Sequence, residues 1–159
     1  MSGDPVNDGP ARGDLAFLAR AVELSRLCPP SESAFSVGAV IVGADGEVLS
    51  EGYSRELDAH NHAEEAALAK LPDGDPRLRG ATVYSTLEPC GERKSRPRPC
   101  ARLIIAAGIP RVVVAWREPA LFVAACQGTE LLEEAGIEVV ELPELADAAR
   151  AVNAHLLGG

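Results

Sequence analysis

Residues 62–70, HAEEAALAK, and residues 81–100, ATVYSTLEPCGERKSRPRPC, carry the pattern on which our interpretation of the chain depends. They supply an imidazole from His62, thiols from Cys90 and Cys100, and a carboxylate from Glu64. A catalytic zinc takes three protein ligands and keeps its fourth position open for water or substrate. The sequence therefore predicts one zinc per chain, bound by His62, Cys90 and Cys100, with Glu64 as the general acid/base.

Helical periodicity restricts where such a metal can lie. The small and apolar residues of 62–70 predict a helix that begins near Asn61, a favoured N-cap residue. Positions two apart do not share a helix face, so His62 and Glu64 reach one metal only beyond the N-terminal end of the helix. Cys100 begins a second helix-like run, ARLIIAAG. The partial positive charge of a helix N-terminus favours thiolates, which suits both helix ends facing one metal.

A His-x-Glu followed by Pro-Cys and a second Cys is the signature of zinc-dependent nucleobase deaminases. In that signature two residues separate the cysteines, whereas here nine residues, 91–99, lie between Cys90 and Cys100. The runs GYSRELDAHNHAEEAAL, TLEPCGERKSRPRPC and REPALFVAACQGTELLEEAGIEV resemble the pyrimidine deaminases of riboflavin biosynthesis, within the cytidine deaminase-like zinc superfamily. The similarity is to the fungal type, whose loop between the cysteines has a comparable length. This resemblance implies an α/β fold, namely a three-layer α/β/α sandwich with a five-stranded mixed sheet, in a homodimer or larger homo-oligomer.

The substrate is less firmly indicated than the chemistry. Ser33, Ala34, Phe35 and Ser36 stand where the bacterial riboflavin deaminases carry Asn-Pro, and this run is closer to nucleoside cytidine deaminases. Three hypotheses remain open: a deaminase of the phosphorylated diaminopyrimidinone intermediate of riboflavin biosynthesis, a salvage or detoxifying deaminase of a cytosine- or guanine-like base, nucleoside or nucleotide, and an inactive zinc-stabilised binding scaffold. Glu64 disfavours the scaffold, because binding alone requires no acid/base residue.

A basic segment lies between the two predicted cysteine ligands and contains Arg93, Lys94, Arg96 and Arg98. It is either a solvated loop or a binding site for one substrate phosphate, because its ends are tied to the metal site. Three further residues are weaker predictions: Asn61 for a pyrimidine edge, and Arg55 and Glu56 for sugar hydroxyls. Each of these three has the alternative interpretation of a surface loop residue.

Length and composition limit the remaining possibilities. A chain of 159 residues with 47% hydrophobic content predicts one domain, and the net charge of −9 argues against nucleic acid as a partner. No apolar run approaches a membrane span and no signal peptide opens the chain, which favours a cytoplasmic enzyme of small molecules. Four cysteines without a secretion signal indicate metal binding or free thiols, and Cys28 and Cys126 are predicted to be packing residues.

The order of elements agrees with this assignment. Residues 1–13 predict a disordered lead, and residues 14–159 a single zinc-dependent deaminase domain whose first helix is capped by Asp14 and closed by Pro29-Pro30. VGAVIVG and EVLSEGYS then predict a β-hairpin with an Asp-Gly turn. Helices over 62–70, 100–108, 124–135 and 144–157 alternate with strands over 81–87, 111–116 and 137–141. Such alternation predicts parallel strands with helices on both faces of the sheet.

Overall fold

A single mixed sheet forms the centre of the molecule. The computed structural model describes residues 4–29, 31, 35–58, 61–87, 100–116 and 128–156, and the side chains of these except for 4–12 and 156. Five strands have the order β2-β1-β3-β4-β5: β1 (Gly38–Val42), β2 (Val48–Tyr53), β3 (Thr82–Leu87), β4 (Arg111–Trp116) and β5 (Glu138–Glu141). β1 pairs antiparallel with β2 and β3, whereas β3, β4 and β5 run parallel. The predicted five-stranded mixed sheet is confirmed.

The hairpin forms at the turn that its residues predict. Gly46 has φ 88°, a conformation that glycine adopts without steric cost. The Asp45 carboxylate accepts a hydrogen bond from the backbone N–H of Glu47 at 3.0 Å, which closes the turn between β1 and β2. The Asp-Gly pair therefore provides both the positive φ and the local hydrogen bond.

Helices cover both faces of the sheet. They are α1 (Asp4–Ser25), α2 (Ala63–Ala69), α3 (Cys100–Ala107), α4 (Gly128–Glu134) and α5 (Ala146–Ala151). One apolar cluster includes Leu18 of α1 and Ala149 of α5 packed with Val113 of β4. The other includes Ile104 of α3 and Leu132 of α4. Two cores separated by one sheet make the predicted three-layer sandwich, and β1, β3 and β4 are buried because they lie between the layers.

The first helix begins earlier than the sequence predicts. Residues 4–13, which their composition assigns to a disordered lead, belong to α1, so Asp14 lies inside the helix and is not its N-cap. The Asp14 carboxylate instead accepts hydrogen bonds from the Tyr84 hydroxyl at 2.6 Å and from both terminal nitrogens of Arg111 at 2.9 and 2.6 Å. Because these partners lie on β3 and β4, Asp14 fastens α1 to the sheet.

The last predicted helix is divided into three short pieces. A 3-10 turn at Pro143–Leu145 precedes α5, and another at Ala154–Leu156 follows it. Between α5 and the second turn, the buried Asn153 side chain accepts from the backbone N–H of Ser36 at 2.6 Å and donates to the Ser36 carbonyl at 3.0 Å. The end of α5 is thereby tied to the segment that leads into β1.

Two smaller findings complete the fold. Between α2 and β3, residues Pro76–Gly80 form a 3-10 helix whose N-cap Asp75 accepts from the backbone N–H of Arg77 at 3.0 Å. Across the described parts of the chain, no helix combines the length and the apolar character that crossing a membrane requires.

Candidate metal and catalytic site

The position of α2 is set by a glycine of β2. A Cβ atom on Gly52 would lie 2.5 Å from the carbonyl oxygen of Ala63 and 2.6 Å from the backbone nitrogen of Ala67. Only a residue without a side chain permits this close approach of helix and strand. Because His62 caps α2 and Glu64 lies in its first turn, the contact at Gly52 determines where both side chains stand.

His62 and Cys100 come together at the N-terminal ends of α2 and α3. The Nδ1 atom of His62 lies 3.2 Å from the Sγ atom of Cys100, which is fully buried as the first residue of α3. Zinc bonds of about 2.0 Å to nitrogen and 2.3 Å to sulfur at a tetrahedral angle place the two ligand atoms roughly 3.5 Å apart. The observed spacing is close to this value, so the two side chains fit a shared zinc ion.

The N-cap of α2 is His62, one residue later than predicted. His62 has extended dihedral angles, φ −92° and ψ 157°, and its backbone N–H donates to the Glu65 carboxylate at 3.3 Å. Asn61 instead closes the preceding turn, since its side-chain oxygen accepts from the Leu57 N–H at 3.3 Å. The prediction of an Asn61 cap was wrong because its side chain bonds backward along the chain.

The third predicted metal ligand and the basic segment lie outside the described residues. They comprise Cys90 and, in the basic segment, Arg93, Lys94, Arg96 and Arg98, and the predicted packing residue Cys126 also lies outside. Within the ranges that the structure describes, no group of three or more His, Cys, Asp or Glu side chains could hold a metal ion. The structure thus brings together two of the three predicted ligands, and the assignment of Cys90 stays a prediction.

Glu64 is held by a residue that sequence reasoning missed. Glu64 is only 4% exposed, and its Oε2 atom accepts a hydrogen bond from the Ser85 hydroxyl at 2.8 Å. Ser85 lies on β3, pairs with Ala39 of β1 and Val114 of β4, and is fully buried. A serine within the otherwise buried strand TVYSTL was the available signal, because a buried hydroxyl requires a partner.

Asn61 is buried and hydrogen-bonded within its own loop. It is 4% exposed, and besides the side-chain bond to Leu57 its carbonyl accepts from the Arg55 N–H at 2.6 Å. The described hydrogen bonds of Asn61 thus serve the loop before α2. Its predicted contact with a pyrimidine edge stays a prediction.

Arg55 and Glu56 both bond to other parts of the protein. Arg55 has φ 61°, and its guanidinium donates to the carbonyls of Pro29 and Phe35 and to the Ser36 hydroxyl. Burial lowers the pKa of Arg55 below its ordinary value, an effect that the nearby Cys28 only partly offsets. Both Glu56 carboxylate oxygens accept from the Lys70 ammonium group, at 2.8 and 2.7 Å. These bonds stabilise the loop after β2, and the predicted sugar contacts stay predictions.

Two aromatic rings pack at the carboxyl edge of the sheet. Trp116 pairs with Leu87 across β3 and β4, and its ring meets that of Phe35 edge-on, with centroids 5.6 Å apart. The indole N–H of Trp116 is buried and has no acceptor among the described residues. The ring of Phe35 therefore packs at the edge of the sheet where α/β proteins bind ligands.

Cys28 is a half-buried thiol beside the segment that leads into β1. It donates to the Val37 carbonyl at 3.5 Å, and burial raises its pKa above the ordinary value, although Arg55 opposes this effect. Its geometry agrees with a packing role.

Comparisons with known proteins add family information to this geometry. Residues 12–116 match the model of the family described as the cytidine and deoxycytidylate deaminase zinc-binding region. The chain is 43% identical over 127 residues to the diaminohydroxyphosphoribosylamino-pyrimidine deaminase of Schizosaccharomyces pombe, covering 79% of this chain and 31% of that protein.

Solved structures agree with the sequence comparison. Acinetobacter baumannii RibD superposes with a TM-score of 0.75 at 33% identity, over 92% of this chain and 40% of the other. Aspergillus oryzae Rib2 deaminase, solved as a C-terminal deletion mutant in complex with DARIPP, superposes with a TM-score of 0.70 at 25% identity, over 91% and 96%. The chain therefore spans about a third of the length of the curated relative, but nearly all of the fungal deaminase structure.

Proposed function

The chain belongs to the family of the cytidine and deoxycytidylate deaminase zinc-binding region, and from this premise we propose that it is a zinc-dependent hydrolytic deaminase of a phosphorylated diaminopyrimidinone in riboflavin biosynthesis. The observation that carries the proposal is the distance of 3.2 Å between His62 Nδ1 and Cys100 Sγ. The buried Glu64 lies in the first turn of α2, the helix that His62 caps. The substrate assignment is supported by the name of the S. pombe relative and by the ligand of the A. oryzae structure.

Each residue of the proposed site has a defined task. His62 would hold the metal through its imidazole, and Cys90 and Cys100 would hold it as thiolates, a set that would balance the two positive charges of zinc. Zinc supplies Lewis-acid activation of water near neutral pH. Glu64 removes a proton from the attacking water and delivers protons to the ring nitrogen and the leaving amine. The amino carbon thereby becomes a carbonyl carbon, and ammonia leaves.

The basic segment is the proposed phosphate site. Arg93, Lys94 and Arg96 lie between Cys90 and Cys100 in the sequence, so metal binding at both cysteines would keep them close to the substrate. Guanidinium groups match phosphate in charge and in bidentate geometry. Asn61 is proposed to read the pyrimidine edge, and Arg55 and Glu56 to border the sugar. Each chain is proposed to bind one zinc ion. The protein is proposed to form a homodimer or a larger homo-oligomer.

An ammonia-release assay tests this function. The purified protein is offered the diaminopyrimidinone ribosylamino and ribitylamino phosphates, their dephosphorylated forms, and cytidine, deoxycytidylate and guanine. We expect release from a phosphorylated diaminopyrimidinone and much slower release from the others. Preference for cytidine or guanine would favour the salvage hypothesis, to which the run at Phe35 and Ser36 points. No release from any compound by zinc-loaded protein would support the binding scaffold instead.

Replacement of Glu64 separates the mechanism from the substrate. Glu64→Gln is expected to keep the fold and the zinc while lowering kcat by roughly 10²-fold or more, the usual contribution of a general acid/base. Glu65→Gln is the matched control, because glutamine retains the oxygen that accepts from the His62 N–H. Equal activity of Glu64→Gln and the unmodified protein would contradict the proposed role of Glu64.

A further inference from the structure

The Ser85 hydroxyl lies between two acceptors at the same distance. Its Oγ atom is 2.8 Å from Glu64 Oε2 and 2.8 Å from the carbonyl oxygen of Leu87. All three residues are buried, with exposed fractions of 0% for Ser85, 4% for Glu64 and 5% for Leu87. A serine hydroxyl has one proton, so it donates to only one of the two oxygens at a time. Either the carboxylate or the carbonyl receives the proton of Ser85.

The position of the Ser85 hydroxyl is set by the centre of the sheet. Ser85 lies on β3, and its neighbours there are Ala39 of β1 and Val114 of β4. The Glu64 carboxyl group approaches it from the first turn of α2. Loss of the Ser85 hydroxyl would remove a hydrogen bond from a buried carboxylate oxygen, which is costly for a buried polar group.

We propose that Ser85 is a positioning residue whose hydrogen bond holds the Glu64 carboxyl group in the orientation that proton transfer requires. This inference rests on the proposed function, since it assigns Glu64 to proton transfer. Ser85 does not need to touch the substrate. It acts by fixing the rotation of the carboxyl group, because a general acid/base works only within hydrogen-bond reach of the proton it transfers. A catalytic carboxylate at the start of a seven-residue helix is thereby anchored from the sheet below it.

The matched control for Ser85 is Ser50 on β2. Ser50 is also buried, also projects from a strand toward α2, and donates to the carbonyl of Ala67 at 2.7 Å. Ser50→Ala and Ser85→Ala each remove one buried hydroxyl beneath the same helix, but only Ser85 contacts the carboxylate. Thermal unfolding and zinc content measure the effect of losing a buried hydroxyl beneath α2, which both substitutions have in common. The value of kcat measures the effect of losing the contact with the Glu64 carboxylate, which only Ser85→Ala causes.

We expect Ser85→Ala to lower kcat by roughly tenfold or more with little change in KM, because hydrogen bonds to charged groups are the stronger class. Ser50→Ala should leave kcat unchanged, and both variants should keep their zinc. Threonine and valine have nearly the same shape, but only threonine carries a hydroxyl. Ser85→Thr should therefore keep most of the kcat of the unmodified protein, whereas Ser85→Val should lose as much kcat as Ser85→Ala. Unchanged kcat in Ser85→Ala, or equal losses in the Thr and Val variants, would overturn the proposal.

Crystal structures provide a readout that does not depend on the substrate. In the zinc-loaded unmodified protein, Ser85 Oγ should lie within hydrogen-bond distance of Glu64, and in Ser85→Ala the carboxyl group should rotate or occupy more than one position. An unmoved, single position in Ser85→Ala would overturn the positioning role even if no substrate were found. The opposite outcome is also informative. If the unmodified protein released no ammonia but the Glu64 carboxyl group moved in Ser85→Ala, the proposed function would be contradicted and the contact of Ser85 with Glu64 would still be established.

Discussion

Substitution of Asp14 by asparagine tests how α1 is attached to the sheet. Asp14 is 4% exposed and accepts from Tyr84 and from both terminal nitrogens of Arg111. Removing one partner of a buried ion pair costs about 3–5 kcal/mol. The Arg111 side chain is 23% exposed and also contacts Glu138 at 3.2 Å, so water and Glu138 partly compensate for the loss. We therefore expect Asp14→Asn to lower the free energy of unfolding by about 2–3 kcal/mol.

Urea unfolding measures this change directly. With a denaturant slope of about 1–3 kcal/mol per molar urea, the midpoint should fall by roughly 0.7–3 M. Asp147→Asn is the control, because Asp147 forms an ion pair with Arg150 at 3.4 Å but its side chain is fully exposed. Its midpoint should not change measurably, as is usual for surface pairs. Equal midpoints for the two variants would refute the anchoring role of Asp14.

The pH dependence of the Asp14 contribution has a definite sign. Burial by itself raises the pKa of Asp14, but hydrogen bonds from Arg111 and Tyr84 and the charge of Arg111 lower it below the ordinary value. A group with a lowered folded-state pKa contributes its full stability above the unfolded pKa of about 4 and loses it as the pH falls through the folded pKa. The stability difference between the unmodified protein and Asp14→Asn should shrink below about pH 4. A constant difference from pH 7 to pH 3 would contradict this account.

Two further predictions concern the metal site and the substrate. Gly52→Ala should displace α2, since its Cβ would lie 2.5 Å from the Ala63 carbonyl, and the purified protein should lose zinc as well as stability. Gly38→Ala, whose Cβ would collide with the backbone of α1, should lower stability while the folded fraction keeps its zinc, as metal analysis would show. Replacing Arg93 and Arg96 by glutamine should raise KM for the phosphorylated substrate tenfold or more, because each charged hydrogen bond contributes roughly 1.5–3 kcal/mol. KM for the dephosphorylated analogue should hardly change, and equal effects on both substrates would contradict a phosphate role.

Features that depend on neighbouring residues were predictable from the sequence. The Asp-Gly turn, the strands of TVYSTL and RVVVAW, and the start of α3 at Cys100 all follow from local patterns. The approach of His62 to Cys100 was predicted because each residue begins a helix that its own flanking sequence defines. The fold class followed from the alternation of these elements, which leaves few ways to cover both faces of a sheet.

Features that depend on distant partners were not predictable in the same way. Aspartate is favoured at N-caps, but the hydrogen-bond partners of Asp14, Tyr84 and Arg111, lie 70 and 97 positions away in the sequence. Ser85 looks like an ordinary strand residue until Glu64 is placed above it. Arg55 has the chemistry of a substrate ligand, whereas its described hydrogen bonds join segments of the same chain. In each case the polar residue was identifiable, but its partner was fixed by the packing of separate elements.

X-ray absorption at the zinc edge of the purified protein tests the central claim most directly, because it reports the atoms bound to the metal. A site formed by His62, Cys90 and Cys100 should give one nitrogen shell at about 2.0–2.1 Å and two sulfur atoms at about 2.3 Å, with the fourth ligand a light atom. A first shell without sulfur, or with only one sulfur atom, would contradict the assignment of the two cysteines on which the deaminase site is built.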